Sequence, residues 1–259
     1  MLKSLLLTFW PILTAVGLSL VLELIFPWRK RTGDFLRWLH AGMLYVAGAL
    51  MIYVVLPLGS VQLADLATVN GWGIFNFLQA PHWTVVIGSF LVLEFCHWLI
   101  HRLMHQVPVL WRLHRLHHSD EEVDTSTAFR FHPGETLVRM LVDFAAILVL
   151  GIPALVIVIR AVLTLFFDIW QHANVHLPQR LRFLSYYVVT PELHRVHHDG
   201  DMAYQNSNFG ALLSLWDRLF GSFKTEQDVK REVAFGLGPT NTLKFSTLAN
   251  LLFDPFRTE

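Results

Sequence analysis

Hydrophobic positions in this chain come in long unbroken runs rather than in alternation, and the run lengths predict membrane-crossing helices. A crossing needs ~20 consecutive apolar residues. Leu5–Phe26 meets this, with Glu23 as its only formal charge. It overshoots the apolar core of a signal peptide and lacks an A-x-A end, so it is expected to remain as a span. A second run extends from Leu36 to Leu58, and a third from about Val85 to His101, carrying Glu94 and His97 near its end. From Leu137 to Gln171 lies a longer apolar segment broken at Gly151-Ile152-Pro153. Gly and Pro at that spacing predict a helical hairpin, either re-entrant or made of two tilted spans.

Charge sets the orientation. Arg29, Lys30, Arg31 and Arg37 crowd the segment between the first two runs, whereas residues 38–101 hold no Lys or Arg. The positive-inside rule puts the 28–37 loop in the cytoplasm and the 59–80 loop outside. The third span then returns to the cytoplasmic side near His101. Residues 173–259, with Arg180, Arg182, Arg195, Arg218 and Lys224, join it there if the hairpin enters and leaves by one face.

Composition agrees with this picture. Of 259 residues, 54% are hydrophobic and 15% charged, the net charge is zero and mean hydropathy is +0.45. An ordinary globular chain carries about 25% charged residues. Disorder, nucleic-acid binding and a soluble enzyme with a charged surface are excluded. A single cysteine, Cys96, excludes an internal disulfide and any four-cysteine cluster. Fourteen histidines are the anomaly.

Ten of them form four clusters: His101-x-x-x-His105, His114-x-x-His117-His118, His172-x-x-x-His176 and His194-x-x-His197-His198. On a helix, positions i, i+3 and i+4 share a face, so each cluster can offer two or three imidazoles to one point. Neutral imidazole suits iron, zinc, copper or nickel, not magnesium or calcium. Ten ligands exceed what one ion takes, so two metals are implied. Iron is the redox-active candidate, and zinc is able to occupy the same nitrogens. His97 is an extra histidine: spacing permits 97/101 or 101/105 as the chelating pair, and the latter lies nearer the 114–118 cluster. No HExxH is present, so a zinc protease has no support. His132-Pro133-Gly134-Glu135 faintly resembles a haem-binding HPGG and reads as a decoy.

Several acidic and polar residues stand near these clusters. The acidic run Asp120, Glu121, Glu122 and Asp124 reads as a solvated face. Asp168, one turn before His172, either orients that imidazole or pairs with Arg160. Asn208, Phe209 and Asp217 are placed to orient ligands of the last cluster or close the site, because metal-bound histidines usually donate their second N–H. Trp98, Trp111, Trp170 and Trp216 fall close enough to the clusters to line a substrate channel.

The clusters and their flanks resemble the fatty acid hydroxylase superfamily, the group that includes the sterol desaturases, and most of all its compact bacterial members. The resemblance runs from Glu94 to Phe223. It rests on Glu94 seven residues before His101-Arg102, on Leu110-Trp111-Arg112-Leu113-His114-Arg115-Leu116-His117-His118-Ser119, and on Arg130-Phe131-His132-Pro133-Gly134-Glu135. It continues through Gln171-His172-Ala173-Asn174-Val175, Thr190-Pro191-Glu192-Leu193-His194-Arg195-Val196-His197-His198 and Leu215-Trp216-Asp217-Arg218-Leu219-Phe220-Gly221. Glu94 stands where an aspartate is commoner. The resemblance implies metal ligation by His101, His105, His114, His117, His118, His172, His176, His194, His197 and His198. Glu94, His132, Asp168, Asn208 and Asp217 become candidate supports for them.

The expectation is therefore an all-α integral membrane bundle, about three spans plus a hairpin, under a cytoplasmic histidine-rich di-metal cap. Residues 1–80 form an N-terminal membrane region and 81–259 the catalytic region. The implied activity is O₂-dependent hydroxylation or desaturation of a lipid C–H bond at two iron ions. Electrons would come from a separate protein of ferredoxin or cytochrome b5 type, since no flavin, haem or iron–sulfur motif is present. The rival reading is a metal transporter or sensor, but transport sites sit near the bilayer midplane between repeats.

Overall fold

The computed structural model describes residues 2–30, 35–56, 58–238 and 247–257, with side chains from residue 10 onward. Arg31 of the basic loop lies outside the described residues. The chain folds as α1 (Leu2–Ile25), α2 (Phe35–Val55), α3 (Ser60–Val69), α4 (Ile74–Phe77), α5 (His82–Gln106) and α6 (Pro108–His118). There follow α7 (Pro133–Leu150), α8 (Ala154–His172), α9 (Pro191–His197), α10 (Met202–Gln205), α11 (Leu215–Leu219) and α12 (Leu248–Phe253). The described residues contain isolated β-bridges but no strand.

Three segments are long and apolar enough to cross a membrane: 35–77, α5 and α8. Their outward faces are apolar and bare: Tyr53, Val54, Ile87 and Leu155 are all well exposed. The buried set holds every metal-cluster histidine but one, together with Glu23, Glu94, Glu135 and Asp217. A bundle that hides its polar groups and bares its aliphatic ones is matched to hydrocarbon rather than to water.

The hairpin forms where Gly and Pro predict it. Gly151 caps α7 in the left-handed region (φ 73°), a conformation that costs glycine nothing, and Pro153 precedes α8. A Cβ on Gly73 would lie 2.0 Å from the Gly151 backbone nitrogen, so the two chains touch directly there. That contact corrects one expectation: residues 59–80 are not a simple loop. They form α3 and α4, and Leu63, Ala64 and Ala67 join Ala146, Ile147, Val156 and Ile157 of the hairpin in one core.

At the opposite end, α5 stops at Val107 because the following Pro108 forces an extended backbone, and that proline starts α6. The chain thus doubles back just above the bundle. Arg29 and Arg37 of the basic segment are pinned to the same end. Arg29 donates to Val233 O (2.9 Å) and pairs with Glu232. Arg37 donates to Asp120 (2.9 Å), Asp124 (3.3 Å), Glu122 and the Glu122 carbonyl. The acidic run expected to be solvated is therefore a clamp, with Asp120 and Asp124 buried. Burial opposes ionisation of Asp120, but Arg37 and Arg130 beside it hold its carboxyl below the usual range. Glu23, the lone charge of the first run, accepts from Thr125 N, Thr125 Oγ1 and Asn174 N, tying α1 to the cap.

Candidate metal centre

Nine of the ten expected ligands converge above the bundle in two adjacent groups. His101, His105, His114, His118 and His197 form one, and His117, His172, His194 and His198 the other. Within each group one ring nitrogen per residue lies within 4.8 Å of all the others, and every member is buried.

Helix geometry explains the division. At about 100° per residue, i+4 lies about 40° from i, whereas i+3 lies about 60° away on the other side. In an HxxHH cluster the outer pair therefore faces one point and the middle histidine its neighbour. His114 and His118 go to the first group and His117 to the second; His194 and His198 go to the second and His197 to the first. The two clusters exchange their middle members. His101 and His105 are one turn apart on α5 and both enter the first group.

Carbonyls and one carboxylate set the tautomers. His101 Nδ1 donates to Phe209 O (2.9 Å), His117 Nδ1 to Arg130 O (3.3 Å), His172 Nδ1 to Asp168 O (2.6 Å) and His197 Nδ1 to Ser207 O (2.7 Å). His114 Nδ1 meets Glu135 Oε1 at 2.9 Å. A neutral imidazole with Nδ1–H has its lone pair on Nε2. The Nε2 atoms of His117 and His172 are nevertheless 3.1 Å apart, as are those of His101 and His114. Two lone pairs at that distance repel unless a cation lies between them.

The donor set fits such a cation. Nitrogens about 2.1 Å from one ion stand about 3.0 Å apart in octahedral and about 3.4 Å in tetrahedral arrangements. The Nε2 contacts His194–His172, His198–His194 and His198–His172 measure 2.9, 3.1 and 3.2 Å. Both nitrogens of buried His105 and Nε2 of His197 have no partner. Burial, followed by the neighbouring imidazoles, holds His117, His118, His194 and His198 well below the ordinary imidazole range and pushes His197 down to about 3. They are neutral at pH 7, which is the form that binds metal.

The remaining candidates lie elsewhere. His176 is exposed and outside both groups. Its i+4 spacing from His172 carries no meaning because α8 ends at His172, after which the chain turns and His176 N donates to Phe26 O. His97 also lies outside both groups. The Asp168 side chain neither reaches His172 nor pairs with Arg160: its backbone carbonyl holds the imidazole, and Arg160 pairs with Asp143 at 2.9 Å. Glu94 touches no histidine; it accepts from Leu212 N and Leu213 N, steadying the loop that carries the Phe209 carbonyl. Asp217 holds the same loop through Phe209 N and Gly210 N, both at 2.8 Å, and accepts from Trp98. Asn208 bridges Leu193 O and Lys224 O. His132 caps α7 through Gly134 N and reaches Leu252 O, away from both groups.

Glu135 is the residue that sequence reasoning missed. It sits in the segment set aside as a haem decoy, with its carboxylate on His114 and Arg139. The available signal was an acidic residue in the first turn of α7, the next α-helix after the second cluster.

Beneath the two groups lies a cavity of ≈ 380 Å³ between α2, α5, α7 and α8. Imidazoles of both groups, His101, His114, His117, His172 and His194, form its roof. Trp98, Trp111, Trp170 and Trp216, expected along a channel, are not among its walls.

The fatty acid hydroxylase family profile matches residues 86–222, which contain all nine converging histidines. Alkylglycerol monooxygenase of Danio rerio is 32% identical over 231 residues, covering 86% of this chain and 48% of that protein. Ornithine lipid hydroxylase of Rhizobium tropici is 30% identical over 220 residues, 82% of this chain and 65% of that protein. Methylsterol monooxygenase 1 of Gallus gallus is 23% identical over 152 residues, 57% and 50% respectively. The chain spans about half the length of the alkylglycerol monooxygenases it matches. No solved structure matches it. With more than half its length under one profile and its histidines gathered in two buried groups, the chain belongs to the fatty acid hydroxylase family.

Proposed function

We propose that the protein is a membrane-bound, O₂-dependent hydroxylase of a lipid C–H bond, working with two iron ions. His101, His105, His114, His118 and His197 would hold one ion, and His117, His172, His194 and His198 the other. The observation that carries this reading is the pair of buried imidazole groups, each with facing lone pairs, roofing a cavity inside an apolar bundle. Iron so held would supply O₂ activation, which an unactivated C–H bond requires and no side chain provides.

The chain's own residues perform the rest. Backbone carbonyls and Glu135 keep the ligand nitrogens aimed inward. Apolar cavity walls, including Phe129, Phe131 and Leu165, accept the lipid and keep bulk water from the reacting carbon. Hydroxylation is favoured over desaturation because the similar proteins are named as monooxygenases and a hydroxylase. Insertion of one oxygen atom, with the second leaving as water, consumes two electrons and two protons. The electrons would come from a ferredoxin or cytochrome b5 type protein docking on the cap. Arg29 and Arg37 of the basic segment share that end of the bundle, which supports a cytoplasmic cap.

Lipid profiling of cells with and without the gene, grown with and without O₂, tests the reading. The expected result is an oxygen-dependent lipid one oxygen atom heavier than its precursor. Iron-loaded protein with less than one ion per chain, or identical lipid profiles, would overturn it.

A further inference from the structure

The cavity wall is sharply divided. Ala49, Ile52, Phe129 and Leu165 present hydrocarbon, but α5, α7 and α8 place His97, Asp143, Arg160, Thr164, Asp168 and Gln171 on the same space. On α8 the polar positions follow one another at 160, 164, 168 and 171, a single helical stripe ending against ligand His172. Charged groups inside a membrane bundle are costly and mark function.

The two guanidiniums are already compensated. Arg160 pairs with Asp143 at 2.9 Å, and Arg139 with Glu135 at 2.8 Å. What is left over is hydrogen-bonding capacity. His97 Nε2 accepts from Arg139 Nη1 at 2.9 Å, so its proton sits on Nδ1, which faces Arg160 Nη2 at 3.4 Å. Those are two donors with no acceptor between them. One to three turns along α8, Thr164 Oγ1 and Gln171 Oε1 are buried without partners among the described residues, and the only hydrogen bond those residues give the Asp168 carboxylate comes from Gln171 (2.9 Å). Spare donors at one side and spare acceptors at the other, with both guanidiniums neutralised, suit an uncharged group that both donates and accepts. They do not suit a phosphate, for which no free cation remains.

We propose that this stripe is a subsite for a hydroxyl-bearing polar group of the lipid, held inside the bundle and close to the metal ligands. It rests on the lipid-hydroxylase reading above. The His97 and His101 rings are only 6.3 Å apart, and Asp168 is one turn from His172. The C–H bond presented to the histidine groups therefore lies within a few bonds of that polar group, and the remainder of the chain lies along the apolar wall.

The test uses the iron-loaded protein in detergent, supplied with O₂ and a chemical reductant, and two lipids of one chain length, one with a free hydroxyl head and one with that hydroxyl methylated. Thermal stabilisation against lipid concentration reports binding, and mass spectrometry locates the inserted oxygen. The free hydroxyl should bind roughly fivefold more tightly, the worth of one neutral hydrogen bond. Thr164→Val should remove most of that ratio and Thr164→Ser should keep it, with His97→Ala as a second variant that also narrows it. The new oxygen should appear near the head. Equal binding of the two lipids, tighter binding of the same chain with a phosphate head, an unchanged ratio in both Thr164→Val and His97→Ala, or oxygen at the chain terminus would overturn the subsite. A binding preference with no oxygenated product would uphold the subsite and remove the hydroxylase reading instead.

Discussion

The two histidine groups are built from the same motif and are not equivalent. In the first, His114 leans on the Glu135 carboxylate, which Arg139 also grips, while His101 and His197 lean on carbonyls. In the second, the Nδ1 atoms of His117 and His172 meet only carbonyls, and among the described residues no carboxylate bonds to a member of the group. An anionic partner raises the basicity of an imidazole, whereas a carbonyl only aims it. The first group also has five members against four. Two sites so close together should thus differ in affinity and in what disrupts them, and the difference comes from neighbours outside the HxxHH motifs.

The largest effect should come from breaking either group. His118→Ala and His198→Ala remove ligands from opposite groups, so each should lower bound iron from two ions toward one per chain and cut turnover at least about 100-fold, measured by elemental analysis and product formation. If one of them loses both ions while the other loses none, the crosswise division is wrong. On α5, His105→Ala should lose metal whereas His97→Ala should keep it; the reverse outcome would mean that the first pair is 97/101.

Glu135→Gln probes the asymmetry itself. Affinity for one ion should fall about 10- to 100-fold while the other stays, giving a two-step release curve under titration with a chelator. A single unchanged step would place the Glu135 carboxylate outside the centre's energetics.

Acidification acts more gently. A buried imidazole whose folded pKa lies below its unfolded value of 6.5 stays neutral while the unfolded chain takes up a proton. Stability is full above about 6.5 and declines as pH falls toward the folded value. For His197, with a folded value of about 3, lowering the pH to 5 should cost metal-free protein about 2 kcal/mol. Thermal melting at pH 7.5 and pH 5 checks the sign, and a higher melting point at pH 5 would contradict it. The smallest effect should be that of His176→Ala: bound iron unchanged and stability within about 0.5 kcal/mol.

The membrane helices and hairpin were legible because run length and Gly-Pro breaks act locally. The clusters on α5, α6 and α9 were equally legible, since helical spacing alone brings i and i+4 together. His176 misled because HxxxH says nothing unless the helix continues, and α8 stops at His172. The acidic run misled because the partner of Asp120 is Arg37, 83 residues away. Asp168 misled in another way: its peptide oxygen, not its carboxylate, does the work, and every residue has one.

What the sequence determined by itself is the kind of chemistry: an apolar chain able to dwell in a bilayer, and imidazoles in sets spaced to hold metal. Those properties follow from residue type and short spacing. Tertiary structure decided which imidazoles share a point, which carbonyl or carboxylate fixes each tautomer, and that a stripe of polar residues on α8 faces the space beneath them. These depend on contacts such as His101 with Phe209 and His117 with His172, separated by 108 and 55 positions. No local pattern encodes such pairs, because the packing energy that sets them is summed over the whole bundle.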